Sequence, residues 1–194
     1  ESARSRIQNL MDESQERVRE RPVEPAPPAF DDQSAWAGFS DSYDWTPVDT
    51  SVSRERLDKV ARTLGSVPEG FVPHRKLERL LQQRGNAIEQ DEPMDWAMGE
   101  LLAYGTLLDE GTSVRLTGED VMRGTFSHRH AGLFHAESGE EYVALNHIHE
   151  SQARICIHNS PVTEGGCIGF EYGYSLGDPN MLVVWEAQFG DFAN

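Results

Sequence analysis

Residues 154–194 decide the fold of this chain, and they read RICIHNSPVTEGGCIGFEYGYSLGDPNMLVVWEAQFGDFAN. The pattern predicts a short apolar strand at 154–157, a turn around Pro161, a glycine-rich helix at 163–176 and a second buried strand at 181–185. A strand, a helix and a strand in this order form a unit of about 30 residues with a right-handed crossover. The stretch therefore predicts an α/β domain.

One acidic residue, Glu164, falls in the first turn of the predicted helix. Ligands in open α/β sheets are bound at such strand-to-helix junctions, so Glu164 is a candidate ligand-binding residue. A carboxylate is also favourable at a helix N-terminus for electrostatic reasons alone, and the pair Thr163-Glu164 is typical of a helix start. The spacing by itself leaves both interpretations open.

Six segments carry a more specific signal. Three lie within or beside the predicted helix: NSPVTE (159–164), GFEYGYS (169–175) and WEAQFGDF (185–192). Three lie upstream of it: DWAM (95–98), VRLTGED (114–120) and GTFSHRH (124–130). Together they resemble the pyrimidine-binding domain of the first component of 2-oxoglutarate dehydrogenase, a thiamine diphosphate-dependent decarboxylase. The resemblance covers roughly residues 50–194. It implies a transketolase-like pyrimidine-binding α/β domain, truncated here and preceded by a helical and extended linker.

The resemblance also implies roles for individual residues. Glu164 matches the family glutamate whose carboxylate contacts the pyrimidine ring nitrogen of thiamine diphosphate. That contact favours the imino tautomer of the cofactor, whose nitrogen removes the thiazolium proton. Val162 would supply the neighbouring apolar and backbone contact to the ring. Phe189 and Phe192 are candidates for packing on the pyrimidine face, although two phenylalanines after a strand are usually core residues.

A second acidic candidate is Glu119, which follows a strand predicted at 113–116. In related thiamine enzymes an acid at the corresponding place lies near the aminopyrimidine, whereas most members of this family carry Gln there. Glu119 is thus a secondary cofactor-binding candidate. It also suits a simple turn-capping role, because Asp and Glu are common in turns.

The segment 128–158 is rich in histidine, and two pairs have a spacing of two residues: His128 with His130, and His147 with His149. On a strand this spacing points both imidazoles to one face, as in a metal site. No cysteine pair or helical His-x-x-x-His motif accompanies them. The resemblance implies no metal ligand in this stretch. We expect His128 and His130 to form a polar, cationic lining near the active site or the dimer seam.

The composition excludes several classes of partner. The formal charge is −16, spread along the chain, which argues against binding to nucleic acid or to an anionic membrane. No apolar run approaches the ~20 residues that span a bilayer, and the start has no signal-peptide pattern. Cys156 and Cys167 form no metal-type pair and no disulfide framework, so we expect two buried thiols.

The N-terminal part has a different character. Residues 1–21 predict a charged helix with one narrow apolar stripe, and 22–50 read as a proline-rich linker. We expect four of its aromatic residues to pin the linker to a folded surface or, alternatively, to bind a partner: Trp36, Phe39, Tyr43 and Trp45.

Three helices should follow. The first is capped by Ser53 and ends at Gly65, and the second runs over 74–88. The third starts after Pro93, with Trp96, Ala103 and several other apolar residues packing inward. We divide the chain into three parts. These are the charged helix with its linker (1–50), a helical connector (51–92) and the incomplete pyrimidine-binding domain (93–194).

The function that the resemblance implies is that of a piece of the decarboxylating subunit. The full enzyme would oxidatively decarboxylate 2-oxoglutarate in the tricarboxylic acid cycle and transfer succinyl to the lipoyl group of a succinyltransferase component. Its active site would form in a homodimer, with the diphosphate and magnesium held by a domain that is absent here, so the isolated chain should be inactive. The expected location is the cytoplasm, or the mitochondrial matrix in a eukaryote. Alternatives are a 2-oxoadipate-type dehydrogenase and a non-catalytic interaction domain that keeps the fold.

Overall fold

The structure is a computed structural model, and it describes residues 3–20, 35–40, 42, 44–91 and 93–189. The chain forms two compact units, Glu1–Phe39 and Ser40–Asn194. In the first unit, helix α1 spans Ala3–Glu20, which confirms the predicted charged helix. The apolar side chains of its stripe are more than half exposed: Ile7, Leu10 and Met11. The ring of Trp36 packs edge-on against that of Phe39, with centroids 5.6 Å apart.

The second unit contains the remaining elements. In chain order they are α2 (Arg54–Leu64), a 3₁₀ turn (Arg75–Leu77), α3 (Glu78–Asn86), α4 (Trp96–Asp109), β1 (Val114–Gly118), β2 (Leu133–Phe134), β3 (Glu141–Tyr142), a second 3₁₀ turn (Ala144–His147), β4 (Ile155–Asn159), α5 (Glu164–Ser175) and β5 (Leu182–Trp185). No helix among the described residues is long and apolar enough to cross a membrane.

Side-chain caps set three of the helix starts. Ser53 caps α2 by accepting a hydrogen bond from the backbone N–H of Arg56, and the cap residue at the other end is Gly65, which confirms both predicted limits. Asp95 caps α4 in the same way, and Thr163 caps α5. The helix predicted at 74–88 is interrupted: a 3₁₀ turn capped by the ring of His74 precedes α3.

Strands β4, β1 and β5 form one parallel sheet in that spatial order. Leu116 of β1 pairs with Ile157 on one side and with Val184 on the other. The predicted strand–helix–strand unit is confirmed as β4–α5–β5, although β5 was predicted to be buried and none of its residues is. The two strands are not neighbours, because β1 lies between them. The central position suits β1, in which the neighbouring residues Leu116 and Thr117 lie on opposite faces and are both buried. The short strands β2 and β3 form a separate antiparallel pair.

The core lies between the sheet and the helices α2 and α4. Its fully buried members include Val60, Leu101, Leu108 and Leu145. Gly105 lets α4 approach α2 closely, since a methyl group added there would overlap Cγ1 of Val60. The contact explains why α4 carries a glycine in mid-helix, where glycine otherwise costs stability.

Gly105→Ala is therefore expected to lower the free energy of unfolding by about 1–3 kcal/mol through overpacking. Gly99→Ala is the matched control in the same helix, because nothing lies within 4 Å of the position that its methyl group would take. That control should be neutral or stabilising by up to about 1 kcal/mol. Urea unfolding of both variants measures the difference, and equal effects would show that the α2–α4 contact is not tight.

Three sequence expectations about burial are wrong. Trp96, expected to pack inward from α4, is 95% exposed, and Ala103 is exposed as well. Both positions turn away from α2 and the sheet. Cys156 is exposed whereas Cys167 is buried, as expected of it. Cys156 lies on β4, which is an edge strand and has a neighbouring strand on one side only within this sheet.

Candidate functional site

The carboxyl ends of the three parallel strands meet at one edge of the sheet. There β1 ends at Gly118, β4 ends at Asn159, and β5 ends at Trp185. Backbone hydrogen bonds hold the three exits together: the N–H of Ser160 donates to the carbonyl of Gly118 at 2.6 Å, and the N–H of Glu186 donates to that of Thr117 at 2.9 Å. This is the edge at which open α/β sheets bind ligands.

Close approach of the backbone at this edge depends on Gly118. A methyl group added to Gly118 would overlap the carbonyl oxygen of Glu186 and a side-chain carbon of Val121. The side chain of Asn159 adds a further tie, because its Oδ1 accepts a hydrogen bond of 3.0 Å from the backbone N–H of Met122. The turns that leave β1, β4 and β5 are thereby linked into one rigid rim.

Glu164 lies on this rim as the first residue of α5. It is partly buried, and its Oε1 accepts a hydrogen bond of 2.8 Å from the backbone N–H of Gln188. A hydrogen bond from a backbone amide to a carboxylate is charge-assisted and therefore directional. The start of α5 and the segment that leaves β5 thus meet at this carboxylate.

The other candidate residues are placed as follows. Val162 and Phe189 are 50% and 45% exposed, and both lie in segments that meet at Glu164. The side chain of Val162 lies over the backbone of Gly166 in the first turn of α5. Glu119 lies exposed in the turn after β1, and no hydrogen bond among the described residues joins it to Glu164. Phe192 lies outside the described residues, as does Tyr43 of the linker.

A buried cation that the sequence did not reveal lies behind the rim. Arg129 is 1% exposed, and its guanidinium binds Glu100 of α4 and Glu186 just past β5. It also donates to the carbonyl oxygen of Val121 at 2.7 Å. Burial by itself lowers the pKa of Arg129, but the hydrogen bonds with Glu186 and Glu100 outweigh it, so this pKa lies above its ordinary value. Glu100, Arg129 and Glu186 are far apart in sequence, and only the fold brings them together.

Neither histidine pair lies on a strand, since His147 ends the second 3₁₀ turn and His149 follows it. Residues 124–130 are a series of turns in which Ser127 and His130 have left-handed backbone angles, φ 52° and 42°. The argument for paired imidazoles on one strand face is therefore wrong, and among the described residues no three His, Cys, Asp or Glu side chains are grouped to hold a metal. Burial lowers the pKa of His130, and the nearby charge of Arg84 adds to this effect.

His128 lies beside a cavity of about 570 Å³ that is also lined by Trp96, Glu100, Arg129 and Glu186. Its Nδ1 is buried and has no hydrogen-bond partner among the described residues. The expectation of a polar lining that includes His128 is consistent with this placement. The cavity adjoins the Arg129 cluster, and whether it belongs to an active site or a dimer seam stays a prediction.

A second buried ion pair fixes α5 to the sheet. Arg115 of β1 binds Glu171 of α5 through Nε to Oε2 at 2.7 Å and through a terminal nitrogen to Oε1 at 2.9 Å. The guanidinium also lies over the ring of Tyr174, 4.4 Å from its centroid. Burial raises the pKa of Glu171, but hydrogen bonding to Arg115 outweighs it and holds this pKa below its ordinary value. The helix that begins at Glu164 is thus held in orientation by a bidentate pair in its middle.

Comparison with known proteins adds to this geometry. Residues 92–194 match the family described as transketolase, pyrimidine binding domain. The chain is 48% identical over 147 residues to the 2-oxoglutarate dehydrogenase E1 component of Bacillus licheniformis, covering 76% of this chain and 16% of that protein. It is 49% identical over 152 residues to the protein of the same name from Coxiella burnetii, covering 78% of this chain and 16% of that protein.

A eukaryotic relative gives a similar match. The chain is 49% identical over 164 residues to the protein named 2-oxoglutarate dehydrogenase, mitochondrial, of Schizosaccharomyces pombe, covering 82% of this chain and 16% of that protein. The chain thus spans 16% of the length of each of these relatives.

Proposed function

Because this chain belongs to the family of the transketolase pyrimidine-binding domain, we propose that it forms the pyrimidine side of a thiamine diphosphate site in a 2-oxoglutarate dehydrogenase. The observation that carries this proposal is the carboxylate of Glu164. It lies at the carboxyl edge of a parallel sheet and is oriented by the backbone N–H of Gln188 at 2.8 Å. The motif in which it stands, Val162-Thr163-Glu164, is one of those that resemble the family.

The residues at this edge suit a flat heteroaromatic ring that has one hydrogen-bonding nitrogen. Glu164 supplies an oriented acceptor, and one hydrogen bond to Oε1 leaves the carboxylate capacity for another. Val162 and Phe189 supply apolar surface that is about half exposed, 50% and 45%. A ring bound between apolar side chains and a carboxylate would bury that surface and satisfy both kinds of contact.

When bound, thiamine diphosphate supplies the chemistry that cleaves the 2-oxo acid. In this proposal Glu164 holds a proton at the pyrimidine ring nitrogen, and the amide of Gln188 keeps the carboxylate pointing at that atom. Val162 and Phe189 orient the ring and exclude water from it. Phe192 is proposed for the same face, and Glu119 for a more distant contact with the aminopyrimidine.

The remaining parts of the enzyme are proposed from the relatives named 2-oxoglutarate dehydrogenase. The diphosphate and magnesium would be held outside this chain, in a homodimer, and succinyl would pass to a lipoyl-bearing succinyltransferase. The enzyme would work in the bacterial cytoplasm or, as the name of the fission-yeast relative indicates for that protein, in mitochondria. The division of this chain at residues 50 and 92 is proposed from the change in sequence pattern at these positions.

The test uses the full-length enzyme that contains this chain. Carbon dioxide release is measured from 2-oxoglutarate and from 2-oxoadipate, each with and without thiamine diphosphate. We expect release that depends on the cofactor and favours 2-oxoglutarate in kcat/KM. A preference for 2-oxoadipate would correct the substrate and keep the cofactor. If the folded enzyme consumes neither acid, a non-catalytic interaction domain is the better description of this chain.

A further inference from the structure

The buried guanidinium of Arg129 joins three elements around the candidate site. Its Nε binds Oε2 of Glu100 at 2.6 Å, and a terminal nitrogen binds Oε1 of Glu186 at 2.9 Å. A further hydrogen bond of 2.7 Å goes to the carbonyl oxygen of Val121 in the turn after β1. One side chain therefore holds helix α4, the turn after β1 and the segment that leaves β5. We call this arrangement the Arg129 clamp.

The loop that carries Arg129 is itself held from behind by a second buried arginine. Arg84 of α3 is 4% exposed and donates to the carbonyl oxygens of His128, Arg129 and His130. Left-handed backbone angles at Ser127 and His130 are sparsely populated for such residues and persist where the surroundings determine them. A loop supported in this way places the guanidinium of Arg129 in one position.

The Arg129 clamp is linked to Glu164 through the segment that leaves β5. Glu186 is two residues before Gln188, whose backbone N–H donates to Oε1 of Glu164. The backbone of Glu186 is fixed to Thr117 by its N–H, and its side chain is fixed by Arg129. The position of the Gln188 amide therefore depends on a segment that is anchored two residues earlier.

We propose that Arg129 is a positioning residue for Glu164, acting through Glu186 and the backbone amide of Gln188. This proposal rests on the proposed function for its catalytic meaning, but the coupling itself is a property of this chain. Without the guanidinium, the carboxylates of Glu100 and Glu186 would face each other with no cation between them. Both are mostly buried, at 27% and 33% side-chain exposure, so they would repel each other and move apart. The segment from Glu186 to Gln188 would move with its carboxylate.

The test follows the Gln188 amide by hydrogen exchange and NMR in the chain without cofactor. Arg129→Met is expected to speed exchange at Gln188 at least about tenfold, the effect of losing one charge-assisted hydrogen bond. The amide of Leu116 in the central strand should change less than about twofold, since it lies in the stable sheet. Glu186→Gln removes the same ion pair with almost no change of shape and should reproduce the effect. Adding it to Arg129→Met should then have little further effect.

A variant that lacks the Glu164 carboxylate distinguishes positioning of Glu164 from a general loss of stability around Gln188. In Glu164→Ala the Gln188 amide has lost its partner and exchanges fast, so adding Arg129→Met should change its rate less than about twofold. A merely structural role would speed exchange in both backgrounds alike. Arg56→Met is the matched control, because it breaks a charged pair with Asp109 and Glu110 at the other end of α4. That control should leave Gln188 unchanged.

Two results would overturn the proposal. One is a folded Arg129→Met chain in which Gln188 keeps its wild-type protection. The other, decisive if Arg129→Met fails to fold, is wild-type protection of Gln188 in Glu186→Gln. Neither readout requires turnover. If the full-length enzyme consumes no 2-oxo acid, the proposed function is wrong. The coupling between Arg129 and Glu164 is still tested separately by these exchange rates.

Discussion

Replacing Glu164 with alanine in the full-length enzyme is expected to lower kcat for 2-oxo acid decarboxylation by about 10²–10⁴-fold, the usual contribution of a positioned acid–base group. The physical reason is that the carboxylate lies at the sheet edge with its orientation already fixed by the Gln188 amide. A water molecule in its place would supply neither a negative charge nor a fixed direction. The measurement is the rate of carbon dioxide release at saturating substrate and cofactor.

Two further variants sharpen this prediction. Glu164→Gln keeps the shape and an oxygen that can accept from the Gln188 amide, but it removes the negative charge. It should lose most of the activity that Glu164→Ala loses. Glu119→Gln is the matched control, because it makes the same change on an exposed acid at the same edge of the sheet. It should retain activity within about tenfold, as expected for a contact that is not catalytic.

Opposite results would reassign the site. Full activity in Glu164→Ala would remove the catalytic role and leave the carboxylate as a helix-start residue, the other interpretation of its spacing. A large loss in Glu119→Gln with little loss in Glu164→Gln would move the catalytic role to the turn after β1. Circular dichroism of each variant checks that the fold is retained.

The local structure around Glu164 could be predicted because it depends on neighbours in sequence. The helix predicted at 163–176 is observed at Glu164–Ser175, with Thr163 as its cap. Capping and local residue propensity act within a few residues, so the sequence contains their signal. The start of α2 at Ser53 was predictable for the same reason.

The spatial order of the strands could not be predicted in this way. The sequence predicts that β4 and β5 flank a helix, but it contains no local signal that β1 pairs with both of them. Pairing over such separations is decided by which buried surfaces fit together. The insertion of β1 matters for the site, because it brings the turn with Glu119 to the same edge as Glu164.

Two arginines in buried ion pairs, Arg115 and Arg129, illustrate the same limit. Arg115 and Arg129 stand in segments that resemble the family, yet a charged residue in a motif is usually read as a surface or ligand contact. Their partners are far along the chain: Glu171 for Arg115, and Glu100 and Glu186 for Arg129. A buried guanidinium requires such partners, but sequence spacing does not identify them. The metal-site interpretation of the histidine pairs was wrong for a local reason, because it assumed a regular strand where the backbone forms turns.

The ion pair between Arg115 and Glu171 gives the second large expected effect. Glu171→Ala should lower the free energy of unfolding by about 3–5 kcal/mol, because it leaves a guanidinium uncompensated under α5. The exposed fractions of the two side chains are 14% and 3%, so water cannot replace the missing carboxylate well. Urea unfolding of the chain measures the change. Arg62→Ala is the control, since the pair of Arg62 with Asp58 lies on an exposed surface and should contribute little to stability.

Removing both charges should cost less than removing one. Arg115→Met combined with Glu171→Leu replaces the pair with apolar side chains that suit the surroundings of Tyr174, which already lies against the guanidinium. We expect this double variant to be more stable than Glu171→Ala, because no buried charge remains unpaired. Equal or greater loss in the double variant would mean that the geometry of the bidentate pair, and not its charge balance, holds α5 in place.

The pH dependence of stability follows from the same pair. The pKa of Glu171 lies below its ordinary value of 4.5, so the pair contributes its full stability at pH values above about 4.5. That contribution should fall as the pH drops through the lowered pKa of the folded state, where the carboxylate takes up a proton. Glu171→Gln has no carboxylate to protonate, so its unfolding midpoint should decline less steeply than that of the wild type between pH 4.5 and lower values. An identical decline in both proteins would assign the acid sensitivity to other carboxylates. It would also mean that the Arg115–Glu171 pair contributes little to holding the helix that begins at Glu164.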